Sequence, residues 1–201
     1  MTKVWILGDS HIYWAASQAL RREGPQLGLE ATHMITWKGR RGATLQQAVG
    51  ILEEYPSSSC YGAPDLLLIN LGTNDLLSMS SLGFHLTIQD LLSFCTSHMA
   101  NTILVWCNIL PRPYYYGAFN QGSLRRKRNT ANRNARRAFI RAGHKNILVL
   151  DISPDNWALF RYDCLHLSPL GLDIFINTIK GALEYFHMFN LAIQFPPFNM
   201  M

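Results

Sequence analysis

Three short stretches of this chain carry side chains that could together move an acyl group. Val4-Trp5-Ile6-Leu7 breaks into Gly8-Asp9-Ser10-His11, the apolar run from Leu66 to Leu71 breaks into Gly72-Thr73-Asn74-Asp75, and Asp163-Cys164-Leu165-His166 follows near the end. They offer a hydroxyl nucleophile, a carboxamide N–H for a developing oxyanion and an acid–histidine pair to take a proton. Each stretch has a second reading. Asp9 or Ser10 would also cap a helix, and Gly72 to Asp75 is good turn chemistry. With seven histidines in the chain, a D-x-x-H spacing arises easily by chance. On a tight turn, however, that spacing puts Asp163 and His166 on one side, where the carboxylate can orient the imidazole. Cys164, between them, is expected to point away. Gly42, in Gly39-Arg40-Arg41-Gly42-Ala43-Thr44, either lets the backbone present its N–H to a ligand or simply turns the chain from strand to helix.

The elements that must position these residues alternate. Apolar runs of strand length occupy 3–8, 32–37, 65–71, 102–109 and 146–151, and helix-like stretches occupy about 11–23, 43–54, 84–99, 123–142 and 169–187. The runs are continuous rather than alternating, as strands buried on both faces are. Pro169 and Gly171 open the last helix, with Ser168 as its expected cap. Alternating β and α segments imply right-handed crossovers and a three-layer sandwich. Sites in such folds lie beyond the carboxyl ends of the strands, and Ser10, Asn74 and the loop after Asn108 all fall on that edge.

Composition bounds the class. With 201 residues, 48% hydrophobic and 15% charged, a single domain over 1–201 is expected, and disorder is not. No stretch approaches the roughly 18 apolar residues of a membrane helix. The N-terminal apolar run is too short for a signal peptide, so an intracellular, cytoplasmic protein is expected. Cys60, Cys95, Cys107 and Cys164 show no paired spacing and are expected to be reduced thiols, and no His/Cys cluster has metal-ligand spacing.

The net charge of +5 is local. Eight of the 18 basic residues lie between Arg125 and Arg141, no acid occurs between Asp90 and Asp151, and outside this segment ten basic residues face thirteen acidic ones. On a helix Arg125, Arg126, Arg133, Arg136, Arg137 and Arg141 share one broad arc, with Leu124, Ala131, Ala135, Ala138 and Phe139 opposite. Such a face is either solvated or binds phosphate, as RNA or as an anionic membrane surface. Residues 111–123 form a loop rich in Pro and aromatics, with Tyr114-Tyr115-Tyr116 and Phe119, which either packs as an ordinary loop or lines an acyl pocket or lid. The tail from His187 is rich in Phe, Met and Pro and could cover the core, meet a partner or meet lipid.

Taken together, Gly8-Asp9-Ser10, Gly42, Gly72-Thr73-Asn74-Asp75 and Asp163-Cys164-Leu165-His166 resemble, in order, the four blocks of the SGNH (GDSL-like) hydrolase family. The resemblance implies a flavodoxin-like α/β/α sandwich, here with a five-stranded parallel sheet. It also implies Ser10 as nucleophile, His166 as base, Asp163 as its orienter, and an oxyanion hole made of the Ser10 N–H, the Gly42 N–H and the Asn74 side chain, with neither metal nor organic cofactor. His11 stands where the family has leucine and is expected to be a spectator. Arg40-Arg41 precede Gly42 where small residues are usual. Leu110-Pro111-Arg112-Pro113 is similar to the platelet-activating-factor acetylhydrolase-like branch. The basic helix resembles the esterase domain in the first open reading frame of some non-LTR retrotransposons. The expected activity is hydrolysis of an acetyl, short-chain or lipid carboxylester through an acyl-enzyme. The alternatives are an acyltransferase using the same triad, or a module that binds RNA or lipid on the basic helix.

Overall fold

The computed structural model describes residues 1–54 and 62–197. The chain order is β1 (Thr2–Gly8), α1 (Ser10–Arg22), β2 (His33–Gly39), a 3-10 turn (Leu45–Gln47), α2 (Ala48–Glu53), β3 (Leu66–Asn70), α3 (Ser81–His98), β4 (Ile103–Cys107), α4 (Gln121–Arg141), β5 (Lys145–Ile147), a 3-10 turn (Trp157–Leu159), α5 (Pro169–Met188) and β6 (Gln194–Phe195). The six strands pair in the order β2-β1-β3-β4-β5-β6, every pair parallel. The first five follow the flavodoxin-like order, with a switch point beside β1, where α1 and α2 leave on opposite faces.

Continuous apolar strands are explained by two separate cores. Val4, Ile6, Leu66, Leu68, Val105 and Cys107 face α1 and α5. The alternate residues Trp5, Leu7, Leu67, Ile69, Leu104 and Trp106 face α2, α3 and α4. Phe139 of α4 is wholly buried, its ring centroid 5.5 Å from that of Trp106. Burying a side chain of that size contributes about 1.5–3 kcal/mol.

The sixth strand corrects the five-stranded expectation. Two residues are too short to register as an apolar run, and Gln194 is polar. What holds them is Lys145, buried at the start of β5, whose ammonium donates to the carbonyls of Asn190 (2.6 Å) and Ala192. Asn146 and Leu148 then donate backbone N–H groups to Ile193 and Phe195, so this part of the tail extends the sheet. Helix boundaries also shift, each for a capping reason. The helix expected over 43–54 starts as a 3-10 turn because the Gln47 carboxamide accepts the Thr44 N–H. Ser80 caps α3 three residues earlier than expected, through the Gly83 N–H. Ser168 caps α5 where expected, accepting from Gly171. Cys95, Cys107 and Cys164 are free thiols, and Cys60 lies outside the described residues. Burial pushes the thiols of Cys95 and Cys107 up to about 12, so both behave as core apolar groups. Among the described residues no helix is long and apolar enough to cross a membrane, and no His/Cys/Asp/Glu cluster could hold a metal ion.

Candidate active site

Ser10 is the first residue of α1, directly after β1. The capping is done by Asp9, whose Oδ1 accepts the His11 N–H at 2.8 Å, which leaves the serine hydroxyl out of the cap. Backbone N–H groups and the helix dipole both favour negative charge at this point. The same Oδ1 meets His11 Nδ1 at 2.9 Å, and both side chains are fully buried. Burial acts to raise the Asp9 pKa, but the charge and hydrogen bonds of His11, with Arg112 beside it, hold it below the usual carboxylate range. His11 therefore faces the core. The sequence marked it only as a departure and did not reveal this pair.

Asn74 follows β3, the strand next to β1. Its Nδ2 donates to the Ala43 carbonyl at 2.9 Å, and its Oδ1 accepts from Arg112 at 3.4 Å. The neighbouring Asp75, buried, accepts the Leu45 N–H at 2.8 Å. Burial pushes its pKa up against that hydrogen bond. Asp75 and Asn74 thus tie the turn after β2 to the turn after β3, and Gly42 sits in the tied turn. Gly42 has φ of 74°, a left-handed conformation suited to glycine, and nothing lies within 4 Å of where a Cβ would stand. Gly39 is committed elsewhere: a Cβ there would meet the Tyr13 backbone at 2.3 Å, so it serves the packing of β2 against α1.

Asp163 and His166 share one tight turn. Asp163 Oδ2 meets His166 Nδ1 at 2.8 Å, while Oδ1 accepts the N–H groups of Leu165 (2.9 Å) and His166 (3.0 Å). Burial opposes the Asp163 charge, but these hydrogen bonds outweigh it and hold the pKa at about 2. Cys164 takes φ of 56° to make the turn, and its Sγ turns back to the Tyr162 carbonyl, away from the histidine. The turn rests on α1: Arg161 donates its N–H to the His166 carbonyl, and its guanidinium lies 4.4 Å from the centroid of the Trp14 ring, one turn beyond Ser10. α1 and α5 are further joined by Gln18 to Asp173 (2.8 Å) and Lys180 to Glu23 (2.7 Å). Ser10 and His166 thus share one edge. They are not hydrogen-bonded to each other among the described residues, and bonds of this kind commonly close only when substrate binds.

The aromatic loop is anchored along its length. Asn132 of α4 bonds both backbone groups of Ile109 (2.8 and 3.1 Å), and Gln121 does the same for Tyr115 (2.8 and 2.9 Å). Tyr115 is buried, while Tyr114, Tyr116 and Phe119 are exposed. A buried asparagine network that the sequence did not reveal supports the loop from below, with Asn70 Nδ2 on the Asn108 carbonyl (3.0 Å) and Asn146 Nδ2 on Asn108 Oδ1 (3.1 Å). The basic arc is also less uniform than its periodicity suggests. Arg126, Arg133, Arg137 and Arg141 are exposed. Arg125 instead holds the Pro113 carbonyl at 3.4 Å and Arg136 is half-buried, while Lys127, off that arc, holds the Leu76 carbonyl at 2.6 Å. Long basic side chains here serve as struts between α4 and the loops that follow β3 and β4.

The model of the GDSL-like lipase/acylhydrolase family matches residues 8–179. No curated protein sequence matches. Several solved structures share the fold. A GDSL-like lipase from Bacteroides thetaiotaomicron has a TM-score of 0.68 at 18% identity, with 91% of this chain and 88% of that one covered. A member of the lipolytic G-D-S-L family from Veillonella parvula has a TM-score of 0.66 at 14% identity, covering 93% and 99%. A Geobacillus acetyl-xylooligosaccharide esterase has a TM-score of 0.61 at 16% identity, covering 89% and 92%.

Proposed function

The chain belongs to the GDSL-like lipase/acylhydrolase family, and on that premise we propose that it hydrolyses short-chain carboxylesters through a Ser10–His166–Asp163 triad. The observation that carries the reading is the placement of an uncapped serine hydroxyl at a helix N-terminus, on the edge that also bears a carboxylate-oriented imidazole. Ser10 attacks the ester carbonyl and His166 takes its proton. The oxyanion rests on the N–H groups of Ser10 and Gly42 and on Asn74 Nδ2. The alcohol leaves with the proton from His166, and water then cleaves the acyl-enzyme by the same route. Asp163, bonded to Nδ1, fixes the tautomer that leaves Nε2 free to accept. The Geobacillus neighbour, an acetyl esterase, supports a small acyl group. The test is turnover of an aryl acetate together with labelling by an organophosphonate, which is expected to modify Ser10 and no other serine. An added alcohol acceptor distinguishes transfer from hydrolysis by its acylated product.

Removing the carboxamide is expected to separate binding from chemistry. Asn74→Ala should lower kcat by about 10²–10³-fold with KM little changed, because the bond strengthens only as the oxyanion forms. A loss carried by KM alone would place Asn74 in substrate binding instead.

A second reading concerns α4. Its exposed Arg137 and Arg141 line an open groove of about 1030 Å³ between α3 and α4, together with His85, Gln89 and Asn134, and exposed Arg133 stands on the same helix. We propose that this face binds polyanions, RNA or an anionic membrane surface, by release of counterions. Reversing these three arginines to Glu should abolish binding of single-stranded RNA and of anionic vesicles, while hydrolysis of a small neutral ester stays within about twofold, since a neutral substrate needs no steering. Filter binding and vesicle flotation at two salt concentrations measure it. If wild type binds neither at low salt, the face is only solvated.

A further inference from the structure

Arg112 stands between the two halves of the site, and the mechanism above does not use it. It lies in Leu110-Pro111-Arg112-Pro113 on the loop leaving β4, between two prolines that restrict its backbone. Its Nε is buried and has no hydrogen-bond partner among the described residues, and a terminal nitrogen donates to Asn74 Oδ1 at 3.4 Å. Burial opposes the guanidinium charge, while Asp9, Tyr115 and Asp163 favour it.

A guanidinium has five N–H groups and no acceptor, so the atom of Asn74 that it faces must be the oxygen. At the other end of the carboxamide stands the Ala43 carbonyl, which can only accept, 2.9 Å from Nδ2. The two neighbours agree on one orientation. Ala43 occupies one hydrogen of the NH₂ group and leaves the second for another acceptor. A flipped carboxamide would put NH₂ against a cation and oxygen against a carbonyl, and would aim a lone pair at any oxyanion. We propose that Arg112 is a positioning residue that fixes the Asn74 carboxamide with its free N–H toward the reacting carbonyl. This rests on the reading of Asn74 as an oxyanion donor. The charges of Asp9, next to Ser10, and of Asp163, bonded to His166, favour the guanidinium at this position.

The test is a double-mutant cycle on aryl ester hydrolysis, with the fold of each variant checked by circular dichroism. Arg112→Gln, whose amide can face Asn74 with either atom, should lower kcat by about 10–100-fold and leave KM within about twofold, a fraction of the loss from removing the donor outright. Arg112→Lys, again a pure donor, should recover most of that loss. In an Asn74→Ala background, Arg112→Gln should cost less than about threefold, because residues acting through one another are not additive. Arg112→Met, which removes every donor at similar length, replaces the Gln variant in the cycle if that variant does not fold. A loss carried by KM, a Lys variant no better than Gln, or the same loss with and without Asn74 overturns the inference while leaving the triad untouched. An unchanged kcat in Asn74→Ala alone overturns the donor reading and the inference with it.

Discussion

Ser10→Ala is expected to cut ester hydrolysis by about 10⁴-fold or more while leaving the fold intact. The size follows from chemistry: without the hydroxyl no acyl-enzyme can form, and the oxyanion donors alone stabilise only a direct attack by water. The fold should survive because Asp9, not Ser10, caps α1, and Ser10 makes no side-chain hydrogen bond among the described residues. Alanine is also the best helix former and suits the first position of α1. Unfolding stability should therefore stay within about 0.5 kcal/mol of wild type. Steady-state turnover of an aryl acetate beside a urea titration measures both. Turnover above a few per cent of wild type, in a variant that unfolds like wild type, would show that another group is the nucleophile.

What the sequence made legible is what local chemistry dictates. Continuous apolar runs such as Leu66 to Leu71 demand burial on both faces, which implies the parallel sheet and, through it, the edge that carries both Ser10 and Asn74. The Asp163–His166 pair could be read because three residues on one turn settle its geometry without help from the rest of the chain. The tie from Asp75 to Leu45 spans 30 residues, and the Arg112 bond to Asn74 spans 38. Neither has a periodicity or spacing to betray it, since each depends on how neighbouring strands deliver their loops. β6 was hidden for a related reason: its pairing is specified by Lys145, nearly 50 residues earlier, rather than by its own two residues. The arginines of α4 misled in the opposite direction. A helical wheel treats every basic residue on the arc as solvent-facing, yet a helix laid across loops gives its N-terminal basic groups carbonyls to bind, as Arg125 does with that of Pro113.

The pairing of Asp163 with His166 makes a double expectation, one kinetic and one thermodynamic. Asp163→Asn should lower kcat by about 10⁴-fold. The amide oxygen can still accept the N–H groups of Leu165 and His166, so the turn persists. Its NH₂ group, however, then faces His166 Nδ1 and donates to it. That moves the imidazole proton to Nε2, the atom that must accept from Ser10. Asp163 also leaves a trace in acid stability. Its folded-state pKa of about 2 lies below the unfolded value of 3.8, so the native state binds fewer protons there than the unfolded state. The stabilisation is complete above about pH 4 and is lost as pH falls toward 2. Asp163 is a third exposed, so solvent screens the pair and the contribution is modest. The variant lacks it, so its stability should fall less steeply than wild type between pH 4 and 2. Asp9, whose pKa is also lowered, keeps some slope in both proteins. Chemical denaturation at several pH values, beside kcat at pH 8, measures the two effects on one preparation. A variant that keeps more than a tenth of wild-type kcat, or that loses stability in acid as steeply as wild type, would show that the carboxylate does not hold His166 in its working state.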